Sequence, residues 1–307
     1  MSEVIVVGGG VSGLTTATVL AERGHRVRVW SREPAATTTS AVAGALWWPY
    51  RIEPRDRVGD WSLTSLRWYE ELAGRPHETG VRLVAGVHRG ERLAALGPWA
   101  AQLTDVVETA EGLRCRLPLL DMPAHLEWLE NRVRAAGGSV ERRKVNSFDE
   151  AAAEAATVVN CTGLGARALV PDAGMRSVRG QLVLVENPGI DEWFTEADPS
   201  SSETTYFFPQ PGRLVLGGTA GADDWSTVPN PRTAQEIVAR CARIRPEIAR
   251  ARVIGHRVGL RPAREAGVRI EAEALPGGGR LVHNYGHGGA GVTVALGCAE
   301  AAAQLVG

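Results

Sequence analysis

The sequence predicts an α/β protein of two domains, one of which is a Rossmann-like nucleotide-binding domain. Its length of 307 residues fits two domains of ordinary size. The first thirty residues alternate strand, helix and strand, which is typical of a parallel sheet. Glycine accounts for 36 residues, well above a usual level of about 7%. The backbone conformation is therefore specified closely at several turns.

The composition argues against several classes of protein. Lys and Arg total 34 against 35 Asp and Glu, a net charge of -1, so no nucleic-acid partner is expected. The apolar runs are short and interrupted, so neither a membrane span nor a secretory leader is expected. The four cysteines stand apart and favour reduced buried thiols over disulfides or a zinc site. We therefore expect a cytoplasmic protein.

Residues 4–30 carry the pattern of a βαβ unit. The β-branched run at residues 4–7 predicts a strand that is buried on both faces. Apolar residues at helical spacing predict a helix over residues 14–23, and Gly24 follows as its C-terminal cap. A second strand is predicted over residues 26–30.

The turn between the first strand and the helix has the glycine spacing of a dinucleotide-binding motif. Gly8 permits the tight turn, Gly10 lets a pyrophosphate approach the backbone, and Gly13 lets the helix and strand pack closely. Val11 and Ser12 lie between the glycines, where the first amides of the helix face the phosphates. The motif predicts a dinucleotide and leaves NAD and FAD open.

Polar residues follow the second predicted strand. In such motifs an acidic residue there binds a ribose hydroxyl, and Glu33, beside Arg32, lies 20 residues after the last glycine of the motif. The hydroxyls of Thr38, Thr39 and Ser40 come next. They either donate to phosphate or ribitol oxygens of the nucleotide or belong to an ordinary polar loop.

Two more segments have features of a ligand site. Residues 158–163 predict a buried strand that ends at Thr162 and Gly163, and ligands bind at the carboxyl ends of parallel strands. A second glycine cluster, at residues 286–291, precedes an alanine-rich helix predicted over residues 292–306. We expect this turn to bring the positive end of that helix to the cofactor.

His283 and His287 are four residues apart in this C-terminal segment. A metal site is nevertheless not expected, because Gly286 disfavours a helix and no carboxylate or cysteine completes a ligand set.

Four segments, in the same order along the chain, resemble the D-amino-acid oxidases, FAD enzymes of the glutathione-reductase-like flavoprotein superfamily. They are residues 37–50, residues 143–145 with 160–163, residues 259–262, and residues 283–293. The resemblance covers essentially the whole chain and implies FAD as the cofactor. The further contacts with FAD that it implies come from Gly44, Ala45, Leu46, Val145, Gly288, Gly291, Val292 and Thr293.

The resemblance also implies a substrate site. Arg261 takes the place of the arginine that binds the substrate carboxylate, a task for which the planar guanidinium fork is suited. Tyr206 takes the place of a tyrosine whose hydroxyl reaches the same carboxylate. The backbone carbonyl of Gly289 is expected to accept a hydrogen bond from the substrate amine.

Two positions in the predicted pocket have no settled role. Ser202 stands where vertebrate members carry a second tyrosine on a mobile lid, so the resemblance carries over neither their gating nor their size preference. Trp48 lies near a pocket-lining position and either narrows the space for the substrate side chain or packs in the core.

Because the cofactor segments lie at the beginning, middle and end of the chain, we expect a discontinuous FAD-binding domain of residues 1–50, 140–180 and 275–307. Residues 51–139 and 181–274 are expected to form a substrate-binding domain with a mixed sheet. Its predicted strands cover residues 182–185, 206–208 and 214–216, and its predicted helices residues 121–136 and 231–243. A short helix is predicted over residues 150–156.

The resulting hypothesis is oxidative deamination of D-amino acids by hydride transfer to flavin N5, without a side-chain base. The resemblance implies a 2-oxo acid, ammonia and, after reaction with oxygen, hydrogen peroxide as products. A D-aspartate oxidase, or an oxidase of glycine or another amine, is the nearest alternative. A NAD-binding reductase and a non-catalytic dinucleotide-binding protein are more distant ones. A homodimer is expected from the resemblance alone.

Overall fold

The computed structural model describes residues 2–49, 51–197, 203–275 and 278–307. Within these ranges the strands are β1 (Glu3–Val7), β2 (Arg26–Ser31), β3 (Val81–Arg89), β4 (Val107–Thr109), β5 (Gly112–Leu120), β6 (Ser139–Arg142), β7 (Thr157–Asn160), β8 (Met175–Val185), β9 (Trp193–Ala197), β10 (Glu203–Gln210), β11 (Arg213–Thr219), β12 (Gly221–Ala222), β13 (Val253–Arg264), β14 (Ala272–Ala274) and β15 (Arg280–His283). The α-helices are α1 (Val11–Glu22), α2 (Thr39–Val42), α3 (Arg55–Leu72), α4 (Pro76–Thr79), α5 (Met122–Ala135), α6 (Phe148–Ala152), α7 (Ala166–Leu169), α8 (Pro231–Ile244) and α9 (Ala295–Val306). No helix in the described part of the chain is long and apolar enough to cross a membrane.

Among the described residues, six strands form a sheet in the order β14-β15-β7-β1-β2-β6. Its five strands from β15 to β6 are parallel, and only β14 runs antiparallel, at the edge. The predicted βαβ unit is confirmed, since α1 joins the paired strands β1 and β2. The apolar run predicted to be buried on both faces is fully buried at Val4, Ile5 and Val6. Strand β1 therefore lies inside the sheet, between β2 and β7, and the chain enters the glycine turn from there.

The second sheet contains nine of the described strands and is mixed, as predicted. Most of its neighbours are antiparallel, and β3 with β9 is the parallel pair. Strand β8 pairs with β11 and β12 along one edge and with β13 along the other, and all three pairs are antiparallel. Strand β8 begins seven residues before its predicted start, because charged and amide side chains interrupt its apolar pattern. Strand β13 was not predicted at all, since it is rich in arginine and glycine and stays half-buried.

The helices close the outer faces of the sheets. Helix α8 begins where predicted because the Asn230 side chain accepts hydrogen bonds from the amides of Arg232 and Thr233, and Pro231 fits its first turn. Its buried face packs on the second sheet through Ile237 and Cys241. The short helix α6 starts and ends earlier than the predicted 150–156, with Phe148 buried in its first turn.

Helices α3 and α5 pack against α9 and α1, respectively. Both come from residues 51–139, the segment that the sequence assigns to the substrate-binding domain. Arg132 of α5 forms an ion pair with Glu22 of α1 at 2.5 Å. The limits of the two domains therefore stay a prediction. Most strands divide between the two sheets as expected, but β14 belongs to the first sheet although residues 272–274 were assigned to the substrate-binding domain, and residues 175–180 of β8 belong to the second sheet although they were assigned to the FAD-binding domain.

Candidate functional site

A cavity of about 870 Å³ lies where the carboxyl ends of the six-stranded sheet meet the second sheet. The predicted cofactor segments follow the carboxyl ends of β1, β2, β6, β7 and β15, the edge at which parallel sheets bind ligands. Every residue predicted for the cofactor or the substrate lines the cavity except Gly13 and Ser202. Ser202 lies outside the described residues, and Gly13 is buried in α1.

The N-terminal glycine turn is packed too closely for side chains. Gly8 has a φ of +125°, and a Cβ there would lie 2.3 Å from the backbone oxygen of Cys161. A Cβ on Gly13 would lie 1.9 Å from the backbone oxygen of Gly8. These contacts hold the first turn of α1 against the ends of β1 and β7, so Gly13 acts through packing and not by lining the cavity.

The hydroxyls that follow β2 have partners within the protein. Thr38 Oγ1 donates to the backbone oxygen of Ala35 at 2.7 Å, and Thr39 Oγ1 donates to that of Leu260 at 3.3 Å. Ser40 Oγ accepts a hydrogen bond from the Val11 amide at 3.0 Å. These hydrogen bonds fit the alternative of a polar loop, and the role of Thr38 and Thr39 toward a nucleotide stays a prediction.

Arg32 and Glu33 line the cavity directly after the end of β2. Their side chains form an ion pair at 2.7 Å. The role of Glu33 toward a ribose hydroxyl stays a prediction.

The turn after β7 is fixed by Asn160. Its Oδ1 accepts hydrogen bonds from the Thr162 amide at 3.1 Å and the Thr162 hydroxyl at 2.7 Å. Gly163 follows with a φ of +55°, and a Cβ there would be 3.6 Å from Pro262. This turn therefore sits directly beside the segment that carries Arg261.

The C-terminal glycine turn is tied to α1 by buried polar side chains. His287 Nε2 lies 3.0 Å from Asn284 Oδ1, and its Nδ1 lies 3.4 Å from Ser12 Oγ. Asn284 Nδ2 donates to Thr16 Oγ1 at 3.0 Å. Burial lowers the pKa of His287 to about 4, so its ring is neutral at pH 7. The His287 ring thus links the C-terminal glycine turn to the first turn of α1. No cluster of side chains suited to a metal ion occurs among the described residues.

The helix after this turn begins later than predicted and does not present its first amides to the cavity. Helix α9 starts at Ala295, and the amides of Leu296 and Gly297 donate to Ser65 Oγ of α3 at 3.1 and 3.2 Å. The prediction that this helix end serves the cofactor directly is therefore wrong for those two amides. The turn itself, including Gly288, lines the cavity instead.

Helix α3 also holds the last part of the turn. The Tyr69 hydroxyl donates to the backbone oxygen of Val292 at 2.9 Å, and Tyr69 is fully buried. Thr293 Oγ1 donates to the backbone oxygen of Trp48 at 2.9 Å. Sequence reasoning missed Tyr69, because at its place in the helix it has the spacing of an ordinary core residue.

Arg261 reaches from β13 across β8 at the substrate end of the cavity. Its guanidinium lies on Gly180, where a Cβ would come within 2.5 Å of Nη2. Nη1 donates to the backbone oxygen of Thr219 at 2.8 Å. No carboxylate of the described residues forms an ion pair with Arg261, although most other ion pairs of the structure involve arginine. The guanidinium of Arg261 is therefore held in place by a backbone carbonyl, and no described carboxylate neutralises its charge.

Tyr206 lies beside Arg261 on the same face of the second sheet. Its ring covers Gly217 and Gly218, where added Cβ atoms would lie 2.4 and 2.9 Å from the hydroxyl oxygen, and it stacks on Phe208 at 4.7 Å. Gly218 immediately precedes Thr219, whose backbone oxygen holds Arg261. The tyrosine and the arginine thus meet over a floor of glycines.

Gly289 completes this end of the cavity. The Gly288 amide donates to the backbone oxygen of Pro262 at 2.9 Å, next to Arg261 in the chain. The exposed Gly289 follows and lines the cavity. The structure therefore brings Arg261, Tyr206 and Gly289, which are distant in sequence, to one place.

Comparison with known proteins identifies the family. Residues 3–305 match the family model described as FAD dependent oxidoreductase. A D-amino-acid oxidase of Streptomyces coelicolor is 62% identical over 310 residues, with 99% of this chain and 96% of the relative covered. The chain belongs to the D-amino-acid oxidase family of FAD-dependent oxidoreductases. Its cofactor is FAD, which resolves the choice between NAD and FAD that the glycine motif left open.

A second relative supports the same family, and a solved structure supports the fold. A D-amino-acid oxidase of Rubrobacter xylanophilus is 44% identical over 317 residues, covering 100% of this chain and 96% of the relative. The crystal structure of glycine oxidase from Geobacillus kaustophilus has a TM-score of 0.80 at 19% identity, covering 100% of this chain and 95% of that one. The latter similarity shows the fold.

The residues of the cavity fit FAD. Val11 and Ser12, in the first turn of α1, line the cavity beside the glycine turn, where a helix N-terminus suits a pyrophosphate, although the Val11 amide donates to Ser40 Oγ. Gly10 leaves that approach open, since a Cβ there would meet only the end of the Ser40 side chain, at 2.9 Å. Val145 lines the cavity at one end, and Gly44, beside Tyr206 and Phe208, lines it at the other. An extended dinucleotide is therefore accommodated between the N-terminal turn and the substrate end.

Proposed function

We propose that the protein is a D-amino-acid oxidase, which oxidises D-amino acids with oxygen to 2-oxo acids, ammonia and hydrogen peroxide. The observation that carries the proposal is Arg261, a guanidinium without a carboxylate partner among the described residues, beside Tyr206 in the cofactor cavity. This pair suits a substrate carboxylate. The D configuration is supported by the names of the relatives.

Catalysis in this site rests on orientation. The Arg261 fork and the Tyr206 hydroxyl hold the substrate carboxylate, and the Gly289 carbonyl accepts from the neutral amine, which fixes the α-carbon at three points. Bound FAD supplies the two-electron acceptor, at flavin N5. His287 is not placed to act as a base, because its two ring nitrogens contact Asn284 and Ser12.

The proposed reaction is tested by its products. With D-alanine in air, the purified holoenzyme is expected to consume oxygen and release ammonia in equal amounts, with hydrogen peroxide and pyruvate as the other products, and L-alanine is expected to give none. Ammonia without oxygen consumption would mean that oxygen is not the acceptor. Peroxide from both enantiomers would contradict the D-amino-acid assignment.

Replacing Tyr206 with phenylalanine is expected to lower kcat/KM for D-alanine about 10- to 100-fold. The ring packing on Gly217 and Phe208 is kept, and one hydrogen bond to a charged group, of about 1.5–3 kcal/mol, is lost. Steady-state kinetics measure the change. The matched control is Phe207→Tyr on the opposite face of the same strand, and an unchanged kcat/KM in Tyr206→Phe would exclude the hydroxyl from substrate binding.

Three further properties belong to the same proposal. A cytoplasmic location is supported by four free, buried cysteines, which suit a reducing compartment. A homodimer rests on family resemblance. The division into an FAD-binding and a substrate-binding domain is supported by the two sheets.

A further inference from the structure

A row of polar side chains leads away from Tyr206 across the second sheet. Thr195 of β9 is the antiparallel partner of Tyr206, and His88 of β3 is the parallel partner of Thr195. Side chains of paired residues share a face and lie about 5 Å apart. All three residues line the cavity. The row therefore begins at Tyr206 and continues along the cavity wall on the side of β10 that faces away from β13 and Arg261.

His88 is held rigidly at the end of this row. It is 4% exposed, and its Nδ1 is hydrogen bonded to Thr195 Oγ1. The ring of Trp48 lies against it at 4.6 Å with a tilt of 32°, and Trp99 meets Trp48 edge-on. Nε2 of His88 has no hydrogen-bond partner among the described residues. This polar atom belongs to a residue of the cavity wall and is thus left for a ligand.

The ring is uncharged, because burial lowers the pKa of His88 to about 4. Since Thr195 can donate or accept, the neutral ring can present Nε2 as either acceptor or donor. It therefore suits a neutral hydrogen-bonding group.

Among the described residues, no arginine or lysine of β3 or β9 lines the cavity beside His88. Apart from Arg261 and the neutral His287, the other basic residues that line the cavity are Arg32, Arg143 and Lys144, which follow β2 and β6 of the first sheet. The charged residue next to Thr195 is Glu196, which pairs with Arg89 at 3.7 Å and lines the cavity. A carboxylate on the substrate side chain would meet no compensating charge there.

We propose that His88 and Thr195 form the polar end of the substrate side-chain pocket and select D-amino acids whose side chain carries a neutral hydrogen-bonding group, such as a carboxamide, over those with a carboxylate. This inference rests on the proposed function. It also separates the chain from the D-aspartate oxidase alternative.

Three D-amino acids of nearly equal shape test the proposal: D-asparagine, D-leucine and D-aspartate. For the unmodified holoenzyme, kcat/KM for D-asparagine is expected to exceed that for D-aspartate by about tenfold or more. In His88→Phe, which keeps the ring against Trp48, the ratio of kcat/KM for D-asparagine to that for D-leucine is expected to fall about tenfold. This ratio does not depend on the fraction of active enzyme, so partial misfolding does not affect it.

Two more variants sharpen the result. His88→Gln, which keeps a polar group near the place of Nε2, is expected to retain the ratio within about threefold. Thr195→Val is expected to shift it in the same direction as His88→Phe. The control is His125→Phe, another buried histidine stacked on a tryptophan but outside the cavity.

The proposal is overturned if His88→Phe changes the ratio by less than twofold, if the control changes it equally, or if D-aspartate is used as well as D-asparagine. Failure to oxidise any D-amino acid would instead contradict the proposed function itself.

Discussion

Replacing Arg261 with alanine is expected to lower kcat/KM for D-alanine by about 10³-fold. The guanidinium is fixed by Gly180 and by the Thr219 carbonyl, so its fork is ordered before substrate arrives. Losing two hydrogen bonds to a carboxylate removes about 1.5–3 kcal/mol each, and 1.4 kcal/mol corresponds to a factor of ten. Arg261→Lys keeps the charge without the fork, and an intermediate loss is expected.

Steady-state oxidase kinetics at several D-alanine concentrations measure this loss. The flavin absorbance of each variant shows that FAD is still bound. Arg252→Ala is the control, because Arg252 precedes the same strand but its side chain is 71% exposed and pairs with Glu186. If Arg261→Ala keeps kcat/KM within tenfold of the unmodified enzyme, the assignment of the carboxylate site is wrong.

Replacing Gly13 with alanine is expected to weaken FAD binding at least about a hundredfold. The new Cβ would sit 1.9 Å from the backbone oxygen of Gly8 and 3.3 Å from the Cys161 side chain. Both neighbours belong to the cofactor-binding turns, so relief of the clash moves the backbone that faces the pyrophosphate. The ratio of flavin absorbance to protein in the purified variant, and FAD titration of the apoprotein, measure the effect.

The control for this substitution is Gly255→Ala, whose Cβ would meet Leu184 at an ordinary 3.7 Å. Should Gly13→Ala fail to fold, Gly10→Val tests the same claim, because Gly10 borders the cavity and contacts only the end of Ser40. A Gly10→Val protein that binds FAD as tightly as the unmodified protein would contradict the proposed path of the pyrophosphate.

The parts of the fold that were predictable from the sequence depend on local patterns. The apolar run of β1, the glycine turn and the apolar helix α1 lie within one short stretch, and the structure has each of them. Helix α1 begins at Val11, before its predicted start, because the last glycine of the motif lies inside the first turn. Spacing alone did not reveal this.

What the sequence did not predict depends on contacts between distant residues. Strand β13 shows no apolar alternation, because it is half-buried. Its arginines line the cavity, as Arg261 does, or form hydrogen bonds with neighbouring segments, as Arg257 and Arg264 do. The hydrogen bond from Tyr69 to Val292 spans 223 positions, and that between His88 and Thr195 spans 107. Neither is visible until the register of the strands and the packing of α3 on α9 are known.

The candidate substrate site shows the same division. Arg261, Tyr206 and Gly289 were assigned by resemblance, and the structure brings them together over Gly180, Gly217 and Gly218. The need for these glycines follows from the two large side chains that lie on them. No single segment of the sequence contains that relation.

Anaerobic titration of the purified holoenzyme with D-alanine and, separately, L-alanine tests the central claim most directly, because flavin absorbance reports electron transfer from the bound amino acid without oxygen. We expect D-alanine to bleach the oxidised flavin completely and L-alanine to leave it unchanged. A flavin that stays oxidised with D-alanine and with a panel of other D-amino acids, or that is bleached equally by both enantiomers, would contradict the assignment of this site.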